Sequence, residues 1–223
     1  MTKLVNLATN LPLFLTGSGK YGVVVIQEWW GLNDQIKAIT ERIAKAGNFV
    51  AAAPDLYHGK QATTPDEANH LMSNLDWPGA IKDIQSATDY LKKEAGCEKV
   101  AVLGFCMGGA LSIASAVKVS GLDAAVCFYG IPGRDFAKAE EIKCPLQCHF
   151  GNKDNHTGFS DVKSAKLLED YLNKQQKPFE IHRYDDADHA FMNEARPEVY
   201  NPKVAKLAME RSISFIQKTF LQQ

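Results

Sequence analysis

The stretch Lys99–Leu111 (KVAVLGFCMGGAL) constrains this chain more than any other. A short β-branched run containing Val100 and Val102 breaks at Gly104, and helix formers follow from Ala110 to Val117. That is a strand, a tight turn and a helix, with one nucleophilic side chain, Cys106, at the tip. Gly104-x-Cys106-x-Gly108, with Gly109 after it, has the form of a nucleophile elbow with Cys in the place more often held by Ser. So sharp a turn strains the backbone of its central residue and crowds neighbouring backbone. The positions two before and two after must therefore lack side chains. Cys106 would stand at a helix N-terminus, where unpaired N–H groups and the dipole favour a thiolate. The plainer alternative is a buried Cys in a Gly-rich turn, because G-x-C-x-G alone is a loose pattern.

The rest of the chain alternates strand and helix patterns around this element. Residues 1–15 hold short apolar patches that fit an edge hairpin. Tyr21–Gln27 is a continuous apolar run, as expected of a strand covered on both faces. Asn33 or Asp34 can cap a helix that runs to Ala46 and ends at Gly47. Phe49–Ala53 reads as a strand stopped by Pro54. A short helix fits Pro65–Asn74, and a long amphipathic one opens at Asp76-Trp77-Pro78 and reaches Ala95, with Ile81, Ile84, Ala87, Thr88 and Leu91 on one face. Beyond the elbow, strands are expected at Asp123–Tyr129, Pro145–Phe150 and Phe179–Tyr184, and helices at Ser160–Lys174 and Pro202–Phe220. Such alternation with short connections predicts an α/β fold, a mostly parallel sheet with helices on both faces, in a single domain over residues 1–223.

Composition narrows the function. A net charge of −1 without a basic block argues against nucleic acid or an anionic membrane surface as partner. No segment approaches the roughly 20 apolar residues of a membrane helix, and the N-terminus does not read as a signal peptide, so a cytoplasmic protein is expected. The five cysteines are odd in number in a large chain, which argues against a disulfide framework. Cys144 and Cys148 read as small core residues rather than metal ligands, and no His and carboxylate set has metal-ligand spacing, so no metal is inferred.

In parallel sheets ligands bind beyond the carboxyl ends of the strands. Four reactive side chains fall there: Glu28 after the first long strand, Cys106 at the elbow, Asp154 after the strand ending at Phe150, and His189 after the strand ending at Tyr184. The order nucleophile, acid, histidine is that of the α/β-hydrolase fold. A thiol needs a His within hydrogen-bond reach, and the His needs a carboxylate to fix its tautomer. Asp185, Asp186 and Asp188 compete with Asp154 but read as a solvated turn. His58, His70, His149, His156 and His182 lack such placement and read as structural or surface residues. A carboxylate at the mouth of an apolar strand, as at Glu28, is costly unless it is paired or functional.

Gly104-Phe105-Cys106-Met107-Gly108-Gly109, together with Gln27-Glu28-Trp29-Trp30-Gly31-Leu32-Asn33, Ala53-Pro54-Asp55-Leu56-Tyr57 and Asp188-His189-Ala190-Phe191, resembles the dienelactone hydrolase (carboxymethylenebutenolidase) family. The likeness spans about residues 20 to 220. It implies a Cys106–His189–Asp154 triad, with Glu28 contacting the resting thiol and helping to release it as thiolate when substrate arrives. It implies an oxyanion hole from the backbone N–H groups of Met107 and Trp29. The expected reaction is cofactor-free hydrolysis of a small ester or lactone by a monomer or weak homodimer. A thioesterase or general carboxylesterase is the alternative, and a binding or thiol-sensor module on the same fold a further one. Dienelactone enzymes grip a substrate carboxylate with two arginines. Here no Arg lies between Arg42 and Arg134, and the position four after His189 is Asn193, with Arg196 nearby. Trp29, Trp30, Tyr57 and Phe191 instead suggest an aromatic substrate pocket, or ordinary core.

Overall fold

The computed structural model describes residues 2–222. Its eight strands are β1 (Lys3–Asn6), β2 (Pro12–Gly17), β3 (Tyr21–Ile26), β4 (Phe49–Pro54), β5 (Lys99–Phe105), β6 (Ala124–Phe128), β7 (Leu146–Gly151) and β8 (Phe179–Tyr184). They form one sheet in the order β1-β2-β4-β3-β5-β6-β7-β8. The first two strands pair antiparallel at one edge, and every pairing from β4 onward across the sheet is parallel. The helices are α1 (Asp34–Gly47), α2 (Pro65–Ser73), α3 (Trp77–Lys93), α4 (Met107–Lys118), α5 (Val162–Leu172) and α6 (Pro202–Gln222).

The continuous apolar runs are explained by covering on both faces. Along β3, Val24 and Ile26 join one apolar cluster while Val23 and Val25 join the other. The same alternation divides Val100 and Val102 from Ala101 and Leu103 on β5. Side chains on a strand point alternately to opposite faces, so each central strand feeds two cores. Helices α3, α4 and α5 cover the first face through Ile84, Leu111 and Leu168. Helices α1 and α6 cover the second through Ile39, Ile43 and Ile216. Helix α4 is buried along its length from Met107 to Val117, which suits its place behind the elbow.

Two local expectations shift. Helix α1 is terminated by Asn48, whose φ of 54° takes the left-handed cap expected of Gly47. Gly47 is required for another reason: a Cβ there would lie 2.0 Å from the Phe49 ring. Helix α4 starts at Met107, directly after Cys106, because Gly108 and Gly109 are its first turn rather than part of the loop. Cys144 lies just before β7 and Cys148 within it, and both are buried in the same cluster. No described helix is long and apolar enough to cross a membrane.

Candidate active site

The elbow has the predicted strain. Cys106 has φ 56° and ψ −117°, a left-handed conformation in a residue with a side chain, which costs of order 1–3 kcal/mol unless surroundings enforce it. They do. Cys106 N–H donates to the Phe128 carbonyl at 3.0 Å, and the Cys106 carbonyl accepts from Ala110 N–H at 3.1 Å. The flanking glycines are sterically obligatory: a Cβ on Gly104 would lie 2.1 Å from the Gly108 carbonyl oxygen, and one on Gly108 would lie 2.5 Å from the carbonyl oxygens of Ile26 and Gln27.

Loops beyond β7 and β8 bring the acid and the imidazole to this point. The two loops are joined by Lys153 N–H donating to the Ala187 carbonyl at 2.9 Å. Gly151 permits that approach, since a Cβ there would lie 2.4 Å from the same carbonyl oxygen. His189 Nε2 lies 3.2 Å from Cys106 Sγ, and His189 Nδ1 lies 2.7 Å from Asp154 Oδ2. Ser160 Oγ is a further neighbour of His189 Nδ1, at 3.1 Å. The competing acids fall elsewhere: Asp185 accepts from Asn152, Asp186 faces Lys153, and Asp188 accepts the His189 backbone N–H at 2.7 Å. Burial alone would raise the Asp154 carboxyl. The hydrogen bond and charge of His189, with the His156 N–H and the Ser160 hydroxyl, overcome it and hold the group at about 2.

Burial, then the neighbouring Glu28 carboxylate, push the Cys106 thiol far above its ordinary range. The backbone N–H groups of Met107 and Trp29 act in the opposite sense on the same sulfur. These are the two N–H groups expected from the sequence as oxyanion donors, and both address the Cys106 sulfur. The resting contact differs from expectation. The thiol is hydrogen-bonded to His189, while both oxygens of Glu28 are engaged elsewhere: Oε1 accepts from the Tyr129 hydroxyl at 3.2 Å and Oε2 from Asn193 Nδ2 at 2.6 Å. Burial raises the Glu28 carboxyl to about 7 against the pull of those two hydrogen bonds and of Arg196.

A cavity of about 1040 Å³ opens beside Cys106. Trp29 and Trp30 line it, in edge-to-face contact at 5.3 Å, and Trp77, Met72, Ile131 and Phe159 add apolar wall. Arg196 also lines it, with its Nε given to Glu198 at 2.8 Å and its guanidinium 6.0 Å from the Trp30 ring. Two expected lining residues are not there. Tyr57 lies behind Met107, its hydroxyl 3.3 Å from the Met107 sulfur, and borders a different cleft with His58 and Leu71. Phe191 is fully buried among Tyr129, Tyr184 and Phe128, because the chain turns inward after His189 at Ala190, whose φ is 61°.

His156 corrects the sequence reading in the other direction. It lines the cavity, and its Nδ1 lies 2.9 Å from the second Asp154 oxygen. Asp154, His156 and His189 offer atoms within 4.8 Å of one another, close enough to hold an ion. Both carboxylate oxygens and both Nδ1 atoms of that set are already joined by hydrogen bonds. The sequence assigns no role to Tyr129 or Ser160, and marks Asn193 only as the place of a missing arginine. Tyr129 was within reach, since it follows β6 at the same sheet edge as the other site residues. Ser160 carries no such signal.

The model of the dienelactone hydrolase family matches residues 14–220. Protein usf of Aquifex pyrophilus is 38% identical over 212 residues, covering 90% of this chain and 89% of that one. The carboxymethylenebutenolidase of Pseudomonas putida is 27% identical over 205 residues, covering 87% and 84%. The crystal structure of a dienelactone hydrolase-like promiscuous phosphotriesterase from metagenomic libraries superposes with a TM-score of 0.84 over 98% of each chain, at 21% identity, a likeness of fold. Fold, elbow and a family match over nearly the whole length agree: this chain belongs to the dienelactone hydrolase family of α/β-hydrolases.

Proposed function

We propose that this carboxylic ester or lactone hydrolase works through a Cys106–His189–Asp154 triad and a covalent acyl-enzyme. The observation that carries the reading is the unbroken hydrogen-bonded chain from sulfur to imidazole to carboxylate, at 3.2 and 2.7 Å. His189 Nε2 takes the thiol proton as Cys106 Sγ attacks the ester carbonyl, and Asp154 steadies the imidazolium. Charge develops on the carbonyl oxygen, where the Met107 and Trp29 N–H groups can receive it. The tetrahedral species collapses with loss of the alcohol, which takes the proton from His189 and leaves a thioester on Cys106. Water, deprotonated by His189, attacks the thioester. The acid leaves and the thiol regains its proton. No step calls for a cofactor.

The substrate is best read as a neutral, largely apolar ester or lactone. Glu28, Asp188 and Glu198 line the cavity against one guanidinium, Arg196, which is already paired. A substrate carboxylate would meet net negative charge, with a single guanidinium, already sharing its Nε–H with Glu198, to offset it. The size and aromatic wall of the cavity favour the carboxylesterase alternative over a specialist for a small anionic lactone.

Intact-mass analysis during turnover of an activated aryl ester tests the chemistry. A transient adduct of acyl mass is expected on the wild-type protein and is absent from Cys106→Ala. Turnover by Cys106→Ala at the wild-type rate would falsify the triad. Faster turnover of esters bearing a free carboxylate than of matched neutral esters would overturn the substrate class.

A further inference from the structure

We propose that His156 is a positioning residue for hydrolysis, holding Asp154 in the orientation that serves His189. The inference rests on the triad read above, and adds to it a second imidazole on the same carboxylate. Asp154 Oδ2 receives His189 Nδ1 at 2.7 Å. Its other oxygen, Oδ1, receives two donors from His156, the backbone N–H at 3.0 Å and ring Nδ1 at 2.9 Å. A carboxylate only accepts, so Nδ1 of His156 carries the proton. Each oxygen thereby faces one ring, with the Ser160 hydroxyl a further donor to the same carboxylate.

The arrangement fixes what a carboxylate alone leaves loose. Asp154 stands in a loop beyond β7, and rotation about its terminal bond is soft. A clamp on Oδ1 keeps Oδ2 on the axis of the His189 N–H. The His156 ring also lies against the His189 ring, with centroids 4.2 Å apart. His156 lines the cavity with its side chain 54% exposed, while that of Asp154 is 0% exposed. The outer imidazole thus stands between a buried carboxylate and the substrate's solvent. Water reaching Oδ1 would compete for the carboxylate and screen its attraction for the His189 imidazolium. A half-exposed ring contributes little core packing, so its removal should spare the fold.

The test compares His156→Ala, which deletes the ring donor, with His156→Asn, whose amide N–H can occupy the place of Nδ1. Both are made in the full chain and assayed on a neutral aryl ester. Proton NMR follows the far-downfield Nδ1–H of His189 in each. For His156→Ala, kcat should fall about tenfold, the scale of one charge-assisted hydrogen bond, with KM within about twofold. The downfield resonance should weaken or move upfield. His156→Asn should recover most of both readouts. Wild-type kcat in His156→Ala, an equal loss in both variants, or a loss confined to KM would each overturn the proposal. Cys106→Ala run alongside separates the two readings. If it still turns over ester, the triad fails, while the resonance continues to report whether His156 governs the Asp154–His189 hydrogen bond.

Discussion

Two buried histidines in this molecule meet opposite fates, and the contrast isolates what makes a histidine chemically useful here. His189 lies in the loop beyond β8, between a thiol at 3.2 Å and a carboxylate at 2.7 Å. His149 lies inside β7 and is fully buried. Its Nδ1 meets the Tyr184 hydroxyl at 2.8 Å, and its Nε2 meets Gln147 Oε1 at 2.8 Å and Ser212 Oγ at 3.0 Å. Its ring is sandwiched between Phe128 and His182. Every hydrogen-bond partner of His149 is neutral, and burial, then the positive charge of nearby His182 and Arg211, pushes it well below the usual histidine range. One ring has a carboxylate behind it and a thiol in front. The other is held neutral as a hydrogen-bonding spacer.

The contrast breaks first at the nucleophile. Cys106→Ala should lower kcat on an activated ester by about 10⁶-fold, the scale of removing a triad nucleophile. His149→Gln should stay within a few-fold of wild type in the same steady-state assay. If the two variants lost comparable activity, the distinction between the sites would collapse. Asp154→Asn comes next, at about 10⁴-fold in kcat, because an amide in place of the carboxylate favours the wrong tautomer of His189. Retention of more than a tenth of the wild-type kcat would remove Asp154 from the relay.

Glu28 sharpens the comparison from the electrostatic side. Its carboxyl is raised to about 7, so it is neutral below that pH and charged above it. Once charged it opposes thiolate formation at Cys106. Glu28→Gln should therefore speed alkylation of Cys106 by about 3- to 10-fold at pH 8, an effect of the size expected from one nearby charge, and leave it nearly unchanged at pH 5.5. Equal rates at both pH values would detach the carboxylate from the thiol. Stability follows the same group with a definite sign. Between about 4.5 and 7 the folded protein keeps a proton on Glu28 that the unfolded chain releases, so stability falls as pH rises across that window. The loss amounts to about 3 kcal/mol at full ionisation. Denaturant melts of Glu28→Gln should lack this decline.

Much of this was legible in the residues, and what was not has a physical reason. The elbow could be read because close packing leaves glycine no substitute at Gly104 and Gly108. Cys106, Asp154 and His189 could be read because parallel strands end on one edge, so position after a strand predicts place in space. The walls could not be read in the same way. Tyr57 and Trp29 both follow strands, yet a single turn directs Tyr57 behind Met107 and Trp29 into the cavity. His156 escaped notice because its role depends on a two-residue loop that folds its ring back onto Asp154. Asn193 was visible as the position where an arginine was missing, but its hydrogen bond to Glu28 depends on the path of the chain after Ala190.

The smallest expected effect distinguishes the two histidines by stability alone. Unfolded, His149 takes up a proton below about pH 6.5, whereas the folded protein refuses it, since burial lowers the group well below that value. The sign is opposite to that at Glu28: this contribution to stability is complete above about 6.5 and is lost as the pH falls. His149→Gln keeps a polar side chain among Tyr184, Gln147 and Ser212 but cannot titrate. At pH 7.5 it should cost about 1–3 kcal/mol through imperfect replacement of three buried hydrogen bonds. At pH 5 the gap to wild type should narrow, because only the wild type bears the cost of a histidine that cannot charge. Thermal melts of the two proteins across that range read the difference directly. A gap that stays constant would mean that the folded protein accommodates a protonated His149, and the ring's neutral company would then no longer explain why it takes no part in the chemistry.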